Sequence, residues 1–331
     1  MPGRSLLRRS LHYVIFNDSW DRVVGNEIDQ FLRIPEPGRF DRDVEKYLDY
    51  LEHSLESFRR HHDVASYRVC LHLVCVSPDG LTAAVLRDRL SSRLPALRVE
   101  VDEVDAAVTT PFLSHAASFP VEVYRSPNQL HETVLLSAVE QSESDVAAFV
   151  DPDVTFIRDG ALDQIGDQLW RAEDQWAAGF IEPARPRRSS RGAFLTRERL
   201  HSVAVFFKPD VIRANLPATG SIPPADMESR LAAVRDPEAV AHYMYYRVTD
   251  TFSILTELLR SSYGIDRLLS LGRCLPRYAE GQMLTIVCDH LVHCKYQDPT
   301  ARPALLEALA LAGIRPCESP ELSRLVGMAS T

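Results

Sequence analysis

The sequence predicts an α/β fold: a mostly parallel, twisted sheet with helices on both faces, in a single domain with an elaborated C-terminal half. Three observations carry this expectation. Short apolar, β-branched runs alternate with stretches of helical period through the first half, the pattern of parallel strands joined by crossover helices. The chain has 331 residues, 45% hydrophobic and 25% charged, enough for a large domain with a substantial core. No apolar run reaches the length that crosses a bilayer.

Residues 1–9 read as a basic tail. The apolar run after it is too short for a secretory h-region and no small-residue cleavage site follows. Leu11–Phe16 reads as the first buried strand. Asp41–His61 reads as a helix, because Val44, Tyr47, Leu48, Leu51, Leu55 and Phe58 recur at three- and four-residue steps. Tyr67–Val76 is a strand closing in the turn SPDG. Leu81–Leu90 is a helix, Leu97–Val101 and Val121–Tyr124 are strands, Asn128–Gln141 is a helix, and Val146–Val150 is a strand.

The second half is less regular. Ala184–His201 reads as an arginine-rich loop, SVAVFFKPD as a strand and turn, and Ala214–Ala225 as a proline-rich loop. Asp250–Ser261 reads as a helix, Gln282–Tyr296 as a strand-like run ending in histidines, and Ala304–Ala312 as a last helix. The pattern gives no firm internal boundary: a single domain with an elaborated C-terminal half is the simplest reading, and residues 301–331 read as a helix and tail.

The net charge of −9 argues against a general nucleic-acid binder, which shows a basic footprint. Six scattered cysteines without a CxxC pair read as free thiols of a reducing, cytoplasmic protein.

The stretch FVDPDVTFI carries the chemistry. Asp151 and Asp153 stand one residue apart at the end of a buried strand, where unpaired charge is costly. Ligands of open α/β sheets bind beyond the carboxyl ends of the strands. Two carboxylates with a stiff proline between them suit a hard divalent cation, which takes one or two carboxylates plus substrate phosphates. The plainer alternative is a turn, since Asp-Pro often opens one after a strand.

In context, SPNQLHETVLLSAVEQSESDVAAFVDPDVTFI resembles the donor-binding core of GT-A-fold glycosyltransferases of the bacterial family-2-like kind. There a strand, a turn and a helix lead to a further strand ending in Asp-x-Asp. RLHSVAVFFKPDVIR is similar to the strand that ends near the acceptor. YRVTDTFSILTELLRSSYG is similar to the later helix that opens on an acidic residue, and VCDHLVHCKY to the strand that delivers a metal-binding histidine. The resemblance spans roughly residues 10–296. The glycine of the family's Asn-x-Gly turn is absent, with Leu130 and His131 in its neighbourhood.

The resemblance implies a GT-A-like domain with a donor half (10–157) and an acceptor half (158–300). It implies a divalent cation, Mn²⁺ or Mg²⁺, a nucleotide-sugar donor, UDP-linked by default, and a small-molecule, glycan or peptide acceptor. Asp153 would ligate the metal. Asp151 would hold the ribose, or the metal through water, and His293 would complete the shell. Asp79, Arg125, Asn128 and His131 would contact the donor. Asp250 would be the general base of an inverting transfer; it equally suits a helix N-cap.

Other readings stand beside these. His293 equally suits a core or edge position, and Cys288, His290, His293 and Cys294 lack a recurrent zinc spacing. The arginines of residues 184–201 suit either a solvated loop or a clamp on phosphate or an anionic acceptor. Asp-x-Asp after an apolar strand also opens haloacid-dehalogenase-type phosphatases, with Asp151 as nucleophile and Asp153 as acid/base. A third alternative is a non-catalytic GT-A-like scaffold that binds nucleotide or glycan.

Overall fold

The computed structural model describes residues 7–17, 40–75, 79–105, 141–182, 186–189, 192–195, 199–215, 267–271, 286–287, 291–293, 301–316 and 320–326, together with helical residues at 131, 134–135 and 137–139. In chain order the elements are β1 (Arg9–Phe16), α1 (Phe40–His61), β2 (Tyr67–Cys75), α2 (Ala83–Arg93), β3 (Val99–Asp105), β4 (Val146–Val150), β5 (Val154–Phe156) and α3 (Ala161–Arg171). There follow β6 (Ala177–Glu182), β7 (Pro186–Ser189), β8 (Gly192–Leu195), β9 (Arg199–Phe207), α4 (Pro209–Asn215), β10 (Leu268–Ser270), β11 (Ile286–Val287), β12 (Leu291–His293), α5 (Ala301–Ala312) and α6 (Pro320–Leu325).

Seven strands form one sheet in the order β10-β6-β9-β4-β1-β2-β3. The β1–β2, β2–β3, β1–β4 and β6–β10 pairs are parallel, and β9 runs antiparallel to both β4 and β6. The fold is thus α/β with a mostly parallel sheet, as expected. β9 reverses because α3 and β6 intervene after β5, and the chain then turns straight back along β6.

Alternation along the strands sorts side chains onto two faces. Leu11, Tyr13 and Ile15 of β1 join Leu51, Leu55 and Phe58 of α1, Leu86 and Leu90 of α2, and Leu162, Ile165 and Leu169 of α3. On the opposite face Val14, Val74, Ala147 and Phe149 pack with Val134, Leu135, Ala138 and Val139, and with Ile212 of α4. Helices therefore cover both faces. Arg89 of α2 clasps α1 through Glu45, Asp49 and Glu52, carboxylates one and two turns apart.

The second face also carries buried histidines. His12 Nδ1 lies 3.0 Å from His72 Nε2, and His12 Nε2 lies 2.8 Å from Ser10 Oγ. His12 stacks on Phe149. Burial holds the pKa of both histidines below the ordinary imidazole range.

The structure corrects several expectations. The first strand starts at Arg9, two residues before the expected Leu11, and Arg9 pairs with Asp163 and Asp167 of α3. The third strand runs Val99–Asp105, displaced past the expected Leu97–Val101. The arginine-rich segment expected as a loop holds the β7–β8 hairpin and the start of β9. The strand-like run 282–296 contains two short antiparallel strands, β11 and β12. The expected strand Val121–Tyr124 and helix Asp250–Ser261 lie outside the described residues. No helix among the described residues is long and apolar enough to cross a membrane.

Candidate active site

The two aspartates form the bend between two sheets. β4 ends at Val150, buried among the central strands. The Asp151 N–H then donates to Val203 O (2.9 Å), extending the pairing with β9 by one residue. Val154 N–H donates to Asp151 O (3.1 Å) and closes a four-residue turn. Pro152 stands at the second position of that turn, where its fixed φ is already suitable. Asp153 emerges 7% exposed, while Asp151 is more open.

The chain then enters β5, the edge of a three-stranded sheet ordered β11-β12-β5. β12 pairs antiparallel with β5, and the register sets His293 opposite Val154, the residue after Asp153. Residues paired this way have Cα atoms about 4.5–5.5 Å apart. Strands more than 130 residues apart in sequence, β5 and β12, thus bring the expected histidine close to the aspartates in backbone position.

Helix α1 fixes this bend from below. Phe156 N–H donates to Ser57 Oγ (3.0 Å), and Ser57 Oγ donates to Ser54 O (2.7 Å). The Phe58 ring meets Phe156 edge-on. Past β5, Gly160 N–H donates to His61 O (2.8 Å), and Gly160 takes φ 66° to start α3. That conformation suits glycine. His62 Nε2 accepts from Leu162 N–H (3.0 Å), while His62 Nδ1 lies 3.0 Å from Phe58 O. Burial pushes the His62 pKa down to about 4.

On the other side of β4, a second feature was only partly legible. Asn17, buried at the end of β1, donates its N–H to Val74 O (3.0 Å) and accepts from Leu81 N–H at its carbonyl (2.8 Å). A Cβ on Gly80 would stand 2.5 Å from Asn17 O, so the turn closes on Asn17 only because residue 80 is glycine. The sequence marked SPDG as a turn; its contact with Asn17 carried no signal. Asp79 is exposed beside this contact, at the same sheet edge as the aspartates because β1, β2 and β4 run parallel.

His131 is half-buried, and burial followed by the neighbouring His72 pushes its pKa down to about 4. That influence sets it near the His12–His72 pair of the second face. Arg125, Asn128 and Asp250 lie outside the described residues, as do Cys288, His290 and Cys294. Among the described residues, no group of three His, Cys, Asp or Glu side chains is placed to hold a metal ion. Two carboxylates on one tight turn nevertheless fit a cation that draws its remaining ligands from substrate phosphate and water.

No protein-family model and no curated protein matches the chain. Among solved structures it is similar to mouse xyloside xylosyltransferase 1, with 12% identity, 79% of this chain and 83% of that chain covered, and a TM-score of 0.42. It is similar to the galactosyltransferase LgtC in complex with donor and acceptor sugar analogues, with 11% identity, coverage of 80% and 73%, and a TM-score of 0.42. It is also similar to 4-diphosphocytidyl-2C-methyl-D-erythritol synthase from Anaerococcus prevotii, with 12% identity, coverage of 79% and 85%, and a TM-score of 0.35. Two of these three neighbours are glycosyltransferases.

Proposed function

We propose that the chain is a metal-dependent glycosyltransferase that uses a nucleotide-sugar donor, UDP-linked by default. The observation that carries this reading is the Asp151–Val154 turn at the carboxyl end of β4, with His293 in register opposite Val154. Asp153 presents its carboxylate to the cation. Asp151, the more open of the two, reaches the donor ribose, or the cation through water. His293 completes the donor set, as neutral imidazole is a usable ligand for Mn²⁺. Held by these residues, a divalent cation would supply Lewis-acid stabilisation of the leaving diphosphate.

The chain's own contribution is position. α1 anchors β5 through Ser57 and Phe58, so the aspartate turn is held at both ends, by β9 and by α1. Asp250 is assigned as the base that takes the acceptor proton in an inverting transfer, by resemblance alone. Asp79 and the Asn17–Gly80 contact flank the donor side of the turn.

A thermal-shift panel tests this reading. UDP-, GDP- and dTDP-sugars are offered with and without Mn²⁺ to the wild type and to Asp153→Asn. A ligand at 100 times its Kd raises the stability of the native state by about 2.7 kcal/mol. The expected result is a metal-dependent shift for one nucleotide that vanishes in Asp153→Asn while the unliganded melting temperature holds. No shift with any nucleotide sinks the proposal, and release of phosphate from a phosphomonoester would favour the phosphatase chemistry at Asp151.

A further inference from the structure

The β7–β8 hairpin connects two strands, β6 and β9, whose facing ends lie at the sheet edge of the aspartates. β4 and β6 run parallel to β1, and β9 runs against them. The end of β6 and the start of β9 therefore lie at the same sheet edge as Asp151, whose N–H bonds Val203 of β9. The hairpin joins those two strands. In the sheet order, β9 and β6 lie on one side of β4, while β1 and β2, which carry Asn17 and Gly80, lie on the other. The hairpin and the donor-side turn thus flank the aspartates from opposite sides.

The segment's charge is unlike that of the rest of the chain. Residues 183–199 contain six arginines against one glutamate, in a protein of net charge −9. Arg187 and Arg188 lie on β7, in register with Phe194 and Ala193 of β8, and Arg199 opens β9. An anionic molecule nearing an edge that holds two aspartates, and a donor diphosphate on the glycosyltransferase reading, is repelled unless cationic groups meet it. Guanidinium groups recognise phosphate through paired, charge-assisted hydrogen bonds.

We infer that this hairpin recognises the acceptor, and that the acceptor carries a phosphomonoester. The inference rests on the glycosyltransferase reading for the word acceptor; the phosphate site stands on the hairpin's charge and placement. Calorimetric titration of glucose 6-phosphate, with glucose as the neutral match, tests it at low salt. The proteins are the wild type, Asp153→Asn and Arg187→Ala/Arg188→Ala, with Arg187→Gln/Arg188→Gln as a second pair should alanine disturb the ribbon.

Glucose 6-phosphate, and not glucose, is expected to bind wild type and Asp153→Asn alike, and about tenfold or more weaker to the arginine variants. Mn²⁺-dependent UDP binding is expected to behave oppositely, lost in Asp153→Asn and kept in the arginine variants. Equal glucose 6-phosphate affinity in the arginine variants overturns the inference, as does no binding to wild type. Binding that Asp153→Asn abolishes and the arginine variants keep also overturns it, placing the phosphate at the diphosphate subsite. Binding only to phosphatidate-containing vesicles overturns the small-molecule acceptor. Absence of Mn²⁺-dependent UDP binding alone leaves the phosphate site intact and removes the donor reading instead.

Discussion

Ser57→Ala tests whether α1 holds the aspartate turn in place. The substitution removes the acceptor of the Phe156 N–H while keeping the helix, since alanine is a better helix former than serine. Ser57 is 1% exposed and Phe156 0%, so water has no access to replace the lost partner. A buried donor left unsatisfied costs about 1–3 kcal/mol. We expect a loss of about 2 kcal/mol by chemical denaturation, and a fall in melting temperature of roughly 4–8 °C, at about 2–4 °C per kcal/mol.

The same change releases Phe156 of β5, three residues beyond Asp153. Outer partners of metal ligands typically tune metal affinity by about 10–100-fold, so Mn²⁺-dependent nucleotide binding by calorimetry should weaken by about tenfold. A variant within about 0.5 kcal/mol of wild type, with unchanged Mn²⁺-dependent nucleotide affinity, would refute the argument that α1 positions the site.

Acid should destabilise the protein through His62. Its folded pKa of about 4 lies below the ordinary value of 6.5, so the unfolded chain takes up the proton first. The contribution is fully present above pH 6.5 and lost as pH falls toward 4, by up to about 3 kcal/mol. Protonating Nε2 would also displace the Leu162 N–H. Denaturation midpoints measured from pH 7 to pH 4 should show a flatter slope in His62→Gln; an unchanged slope counts against this account. Gly80→Ala should cost about 1–3 kcal/mol in urea denaturation, because a methyl group must push Asn17 O away. Gly160→Ala should cost about 1–2 kcal/mol, and Gly160→Asn less. Its Cβ would meet only Asp163 Oδ2 at 3.7 Å, so the cost is one of backbone conformation. Equal stability of the alanine and asparagine variants would contradict that assignment.

Much of the first half was legible because its signals are local. α1 follows from Leu48, Leu51, Leu55 and Phe58 at helical spacing, and the buried run Val146–Val150 announces β4. The Asp-x-Asp was visible for the same reason: it breaks a run of apolar residues. β5, α3 and β6 were not called out. β5 is three residues long, too short to show a period. α3 starts from a glycine without a side-chain cap, so it lacks the usual opening signal. β7 and β8 were hidden because Arg187 and Arg188 read as solvated loop; their pairing is a property of the chain's return, which composition does not encode. The contact of Asn17 with Gly80 joins residues from two strands, and no single window contains it. A metal-binding role for His293 was expected only through resemblance, and its register opposite Val154 carried no signal in the sequence.

The antiparallel run of β9 between β4 and β6 has a consequence for how this protein can change. Whatever joins β6 to β9 leaves and re-enters the sheet at one edge, through neighbouring strands held by their own register. At Gly179 the two strands pack closely, and a Cβ there would stand 2.7 Å from Leu200 Cδ1. The connecting segment can therefore lengthen, shorten or exchange its sequence without shifting β4 or the aspartates. Doubling such a loop costs only about 0.6 kcal/mol of closure entropy. A lineage could thus graft a new ribbon here and acquire a new molecular clientele, while the Asp151–Val154 turn is inherited untouched.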